Sequence, residues 1–183
     1  MIGAALICLF AYFKFMGGAM KEIALTQGKV ALIDDEDFVL VSQHKWHVLT
    51  SRYTFYAASN VYKADGTRTY LYMHSLLLPG AKRVDHRDCD GLNNQRHNLR
   101  PATGTQNNAN RRKPKNGISS QYRGVSWDKC SGKFAARIEV NDKAFYLGLF
   151  VDEAEAARAY DVAALHHFGE FARLNFPALK EAA

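Results

Sequence analysis

Apolar and polar positions alternate in short runs through the first half of the chain, and the pattern lengthens in its last third. Residues 22–26 and 29–33 each alternate, and Gln27-Gly28 lies between them, which predicts a tight β-hairpin. Residues 34–43 open on Asp34, Asp35, Glu36 and Asp37 and predict one short helix, since acidic side chains suit the positive end of a helix dipole. Runs at 46–49, 54–62 and 69–73 are rich in β-branched and aromatic residues and predict three strands, the last two joined through Asp65-Gly66. Residues 74–78 predict a single helical turn stopped by Pro79-Gly80. Further on, YRGVSW, KFAARIEV and AFYLGLF predict three strands joined by Ser131-Gly132 and Asn141-Asp142. Asp152 then caps a helix, EAEAARAYDVAALHHF, with Glu155 placed for a capping box and Gly169 as its stop. A three-stranded antiparallel sheet with one helix across it is a small unit, roughly 55–60 residues, with just enough core to fold.

Composition narrows the class. A length of 183 residues suits one large domain or two small ones, and 48% hydrophobic content excludes wholesale disorder. Cys8, Cys89 and Cys130 are odd in number and far apart, so they form neither a disulfide framework nor a zinc CxxC pair. A reducing, cytoplasmic compartment is expected. Residues 1–19 carry an apolar run too short to cross a bilayer, with no basic residue before it and no clear cleavage site after it. The expected true start is Met20; a membrane anchor through residues 2–16 is the alternative.

Charge is concentrated. The net +6 of the chain lies within residues 81–118, which hold nine Lys and Arg against three Asp; residues 1–80 net +1 and residues 119–183 net −1. Such a segment is either a solvated linker or a surface facing phosphates, where Lys and Arg drive binding by releasing counterions. The motifs within it favour phosphates. Arg111, Arg112, Lys113 and Lys115, broken by Pro114 and Asn116-Gly117, mark a basic linker over 108–120.

The segment VDHRDCDGLNNQRHNLRPATGTQNNANR, residues 84–111, carries the candidate chemistry. A carboxylate and an amide oxygen suit a hard cation such as Mg²⁺, and an imidazole can take a proton from water near neutral pH. Asp85 and His86 are neighbours, so on a strand they face opposite sides, and the alternation does not say how both would serve one site. Thr103 and Gln106 form a capping box that starts a helix carrying Asn107. The Asp88–Gly91 run hints at a calcium loop, but EF-hand spacing puts His86 and His97 at ligand positions, so that reading fails. His97 reads as an exposed loop residue, His74 as a packed helix residue, and His166-His167 as favourable cations at a helix C-terminus.

This segment resembles the HNH nuclease family, with its ββα-metal motif, in the form seen in phage and intron homing endonucleases. The resemblance rests on "DH", "NLR" and "QNN", with "YMHSLLLPGAKRVDH" similar to the family's lead-in helix and His74 in its usual place. It implies that His86 is the general base, Asp85 and Asn107 hold the metal, and Asn98 braces the loop and orients the base. The third motif position is His in many relatives and Asn107 here.

Residues 122–177 resemble the plant-type ethylene-response-factor DNA-binding domain through "YRGV", "GKFAARI", "YLGLF", "EAARAYDVAA" and "LNFP". The resemblance implies a sheet laid in the DNA major groove. Arg123, Trp127, Lys133, Arg137 and Tyr146 are the candidate DNA contacts, with plain sheet packing the alternative for Trp127 and Tyr146. The extra arginines of plant members near Ser126 and Asp128, and their Trp at Tyr146, are missing, so the plant target sequence does not transfer.

The expected fold class is α+β. Residues 1–19 form an extension, 20–107 a β-rich segment leading into the ββα-metal motif, 108–120 the basic linker, 121–177 the sheet-and-helix domain and 178–183 a tail. The expected function is a metal-dependent DNA endonuclease using one Mg²⁺ or Mn²⁺, acting on double-stranded DNA as a monomer, with no lipid or small-molecule partner. A non-catalytic DNA-binding regulator is the rival reading. RNA is disfavoured because the A-form major groove excludes side chains.

Overall fold

A computed structural model describes residues 19–112 and 119–180. The fold parts between Pro101 and Ala102 into two compact units. The expectations for residues 1–18 and for Lys113 and Lys115 lie outside the described residues. No helix among the described residues is long and apolar enough to cross a membrane.

The first unit is built from small antiparallel sheets. Strands β1 (Met20–Ala24) and β2 (Val30–Asp34) pair around a turn in which Gln27 and Gly28 take φ of 60° and 64°. Strands β3 (His47–Thr50), β4 (Phe55–Tyr62) and β5 (Arg68–Tyr72) form a second sheet in that order. Strands β6 (Val84–His86) and β7 (Leu99–Pro101) form a third pair. The core gathers alternate residues of these strands, Ala31 and Ile33 from β2 and Ala57 from β4, with Val41, Met73 and Leu77. Trp46 closes one side, its indole N–H donating to the Val41 carbonyl at 2.8 Å.

The helix expected over 34–43 is shorter than its pattern predicts. A 3-10 turn over Asp35–Asp37 leads into α1, only Phe38–Val41. The carboxylates of Asp34 and Asp37 are engaged with Gln95 and Arg96 and cap nothing. Helix α2 (Met73–Leu77) follows β5 directly and ends before Pro79-Gly80.

The second unit opens on α3 (Gly104–Asn110), whose Thr103–Gln106 capping box is complete. The helix continues past residue 107, where the linker was expected to begin, because Ala109 is buried in a core shared with Ile138, Tyr160, Ala164 and Phe168. Strands β8 (Val125–Asp128), β9 (Lys133–Val140) and β10 (Lys143–Phe150) form an antiparallel sheet with β9 central. Asn141 and Asp142 both take positive φ, 50° and 61°, as a two-residue hairpin of right-handed twist requires. Helix α4 (Glu153–Phe168) starts where the Asp152 carboxylate accepts from the Glu155 N–H at 2.8 Å and stops at Gly169. Its buried face is Ala156, Ala157, Tyr160, Asp161, Ala164 and Phe168, and the small residues let it approach the sheet closely.

Two polar devices tie this unit together. The Asp161 carboxylate, without exposed surface, accepts from the backbone N–H of Asn175 and Phe176, both at 2.8 Å. Asn175 in turn accepts from the Arg123 N–H and donates to the Arg123 carbonyl. The "LNFP" tail is thereby fastened to both α4 and the "YRG" entry. Gly124 takes φ of 74°, and a Cβ there would lie 1.9 Å from the Tyr160 ring. Gly124→Ala should therefore cost about 2 kcal/mol or more, from strain and overpacking together. Gly132→Ala, also at positive φ but in open space, should cost only the strain, about 1 kcal/mol. Urea unfolding of both variants checks the difference, and equal losses would contradict it.

Candidate active site

The β6–β7 pair sets Asp85 opposite Arg100 and His86 opposite Leu99. Asp85 and His86 are both buried, so each face of this short ribbon is covered. The Asp85 carboxylate is gripped by the guanidinium of Arg100, with Nε at 2.8 Å and a terminal nitrogen at 2.7 Å, both on Oδ2. Sequence reasoning assigned this carboxylate to a metal and did not find Arg100. The signal was the register that sets "VDH" against "LRP".

The loop from Arg87 to Asn98 is ordered by its own polar side chains. The Asn98 amide donates to Asp88 Oδ1 at 3.0 Å and to the Asn93 carbonyl at 2.7 Å, while its oxygen accepts from the Asp88 N–H. Asp88 also accepts from Asp90 N–H, and Asp90 from Leu92 N–H, in successive Asx turns. Gly91 presses on β4, where a Cβ would stand 2.4 Å from the Phe55 carbonyl. Leu92 and Asn94 bond to the backbone of Leu32 on β2. Arg96 fixes the far end, donating to both carboxylate oxygens of the buried Asp37 at 2.6 and 2.9 Å.

This loop brings Asn94 to His86. Asn94 has no exposed surface, and its Oδ1 lies 3.4 Å from His86 Nε2. The Asn94 Nδ2 donates to the Leu92 carbonyl, which fixes the amide so that an oxygen faces the ring. An acceptor there favours the tautomer with the proton on Nε2. Burial pushes the His86 imidazole below its ordinary value, so it is neutral at pH 7; the Asn94 bond and the nearby Asp88, Asp85 and Asp90 oppose that shift.

Tyr56, Tyr72 and His74 form an aromatic wall beside His86. The His74 and His86 ring centroids are 5.2 Å apart and nearly perpendicular, and Tyr72 stacks on His74 at 5.2 Å. Burial, with His86 adding to it, pushes His74 down to about 3. His74 was expected to be a packed helix residue, and its place in this cluster is not visible from spacing. Neither is that of Asn94 or Tyr56.

Asn107 lies on α3, in the second unit. Among the described residues no three His, Cys, Asp or Glu side chains come together as a cation site.

Of the candidate DNA contacts, Arg137 and Tyr146 stand in register on the sheet face turned away from α4, both exposed, with the guanidinium 6.0 Å from the ring. Lys133 shares that face by alternation and is exposed. Two others are placed differently. Trp127 is in register with Phe134, packs edge-to-face on it at 4.8 Å, and so belongs to the face turned toward α4. Arg123 is directed inward: Nε donates to the Tyr160 hydroxyl at 2.6 Å, and the terminal nitrogens donate to the carbonyls of Asn108 and Arg111 at the end of α3. Its guanidinium is a helix C-terminal clasp. Arg111 and Arg112 are exposed. Within the basic segment, Arg96 and Arg100 are committed to Asp37 and Asp85.

Residues 120–169 match the AP2 domain model, so the chain carries an AP2 domain in its second unit. It is 50% identical over 60 residues to APETALA2-like protein 2 of Oryza sativa subsp. japonica, across 32% of this chain and 14% of that protein. It is 48% identical over 59 residues to the AP2/ERF and B3 domain-containing protein Os01g0141000 of the same plant, of which it spans 16%. It is also 29% identical over 169 residues to an uncharacterized HNH endonuclease of Acanthamoeba polyphaga mimivirus, across 90% of this chain and 80% of that one.

The histidine cluster makes the first unit acid-sensitive. Unfolded, His74 takes a proton near pH 6.5; folded, only near 3. Between those values the unfolded chain binds more protons, so stability falls as pH falls. His74 alone should remove about 2 kcal/mol between pH 7.5 and 5, with His86 adding to it. Urea unfolding at the two pH values measures this, and a pH-independent midpoint would refute it.

Proposed function

We propose that this chain is a metal-dependent DNA endonuclease whose AP2 domain positions it on double-stranded DNA. The observation that carries the reading is the setting of His86. It is a buried imidazole whose charged form is disfavoured by burial, with Nε2 3.4 Å from Asn94 Oδ1 and a carboxylate beside it in sequence. The neutral form is the one a general base needs. The likeness to a viral HNH endonuclease over most of the chain supports the same chemistry.

By the resemblance, Asp85 and Asn107 would be the protein's ligands to Mg²⁺ or Mn²⁺, which keep water and take phosphate oxygens. What such an ion supplies when bound is charge stabilisation on the phosphate and the leaving oxygen. His86 would accept the proton of the attacking water. Asn94 would hold the ring in the tautomer it favours, and Asn98 would keep the loop closed around it. Arg100 orients Asp85 and offsets its charge.

That last contact also favours a second reading. A carboxylate already paired with Arg100 suits a retained but inactive scaffold in a DNA-binding regulator. Plasmid nicking separates the two. Supercoiled plasmid should be cleaved with Mg²⁺ or Mn²⁺ and not with EDTA, and His86→Ala should lose about 100-fold or more. Absence of metal-dependent cleavage, or full activity in His86→Ala, would defeat the nuclease reading. For the AP2 sheet, Lys133→Ala with Arg137→Ala should reduce the log–log salt slope of DNA binding by about two, one for each lost phosphate contact. An unchanged slope would remove that face from the DNA surface.

A further inference from the structure

We propose that His74 is a second catalytic imidazole of the site, donating a ring N–H to a non-bridging oxygen of the scissile DNA phosphate. The inference rests on the nuclease reading of His86 and adds to it the group that receives the phosphate.

His74 stands at the start of α2, directly after β5. Its ring is held on several sides. Tyr72 stacks on it at 19° between planes, Tyr56 meets it at 5.6 Å and 66°, and His86 meets it at 5.2 Å and 88°. These contacts are all made by rings. No hydrogen bond or ion pair engages the His74 imidazole among the described residues. Among those residues no fully buried side-chain nitrogen lacks a partner, so the His74 nitrogens keep some exposed surface.

A half-buried imidazole oriented by aromatic contacts alone is a donor without a protein acceptor. The phosphate supplies one. A water activated at His86 attacks from about 3–3.5 Å, which puts the phosphorus one water away from that ring. An imidazole 5.2 Å from the His86 ring lies within reach of the same phosphate's oxygens. Held neutral by its surroundings, His74 keeps one N–H and gives up no proton, so its part is hydrogen bonding to developing charge. A packing role makes a different demand. Phe in the same wall of Tyr56 and Tyr72 would serve packing as well as His.

The full chain is compared with its His74→Phe and His74→Gln variants in single-turnover nicking of supercoiled plasmid, with DNA affinity and thermal unfolding measured alongside. His74→Phe should keep its fold and bind DNA within about twofold, yet nick about 100-fold more slowly, the usual cost of one oriented donor. His74→Gln, which restores an N–H, should recover part of the rate. Nicking at the unaltered rate by a folded His74→Phe protein overturns the proposal. If the unaltered chain does not nick plasmid in the presence of any divalent metal, the nuclease reading fails by itself. His74 is then judged in the unaltered protein by the ring resonances of ¹⁵N-labelled histidine, with and without a short DNA duplex in Ca²⁺. A DNA-dependent shift at His74 supports phosphate contact, and an unmoved His74 overturns it. The same spectrum decides the matter if His74→Phe does not fold.

Discussion

A buried ion pair between two very short strands holds the candidate active site together. β6 and β7 contribute three residues each, too few to persist as an isolated ribbon. Asp85 and Arg100 face each other across them with almost no exposed surface. Removing either partner leaves the other charged and dry, at about 3–5 kcal/mol. The position of His86 beside Asp85, and the closure of the loop between the strands, both follow from this pair. A catalytic role for Asp85 has to be compatible with a structural duty it already performs.

The loop between these strands is a second layer of the same design. It has few apolar anchors, with Leu92 against the core, and it is otherwise held by carboxylates and amides bonding to its own backbone. Its outer fixing point is a turn of acidic residues, 34–37, that meets Arg96. An acidic run that looks like a helix start is in fact an anchor for a distant loop. Local propensity was overridden there by a tertiary demand for carboxylates.

The elements were largely legible in the sequence because each carries its own local mark. Alternation marked β4 and β9, the Thr103–Gln106 pair marked the start of α3, and Asn141-Asp142 marked a hairpin. Partners at long range were not legible. Nothing in the spacing of Asn94 tells that its amide meets His86, or that His74 and Tyr56 close around the same ring. Arg123 is the clearest case. Its motif suggested an outward-facing reader, whereas its donors are spent on Tyr160 and on the end of α3. Strand register decided Trp127, and register is set by pairing, which one strand's sequence does not reveal.

The clasp on α3 fixes where the second unit begins. The basic stretch after residue 110 reads as a seam between interchangeable modules, but Ala109 is part of the AP2-side core and the last carbonyls of α3 are held by Arg123. Exchange at that stretch would leave Arg123 and the pocket of Ala109 without their counterparts. The boundary between the two compact units lies upstream, between Pro101 and Ala102. The helix that bears Asn107 therefore folds as part of the second unit, built into its core through Ala109.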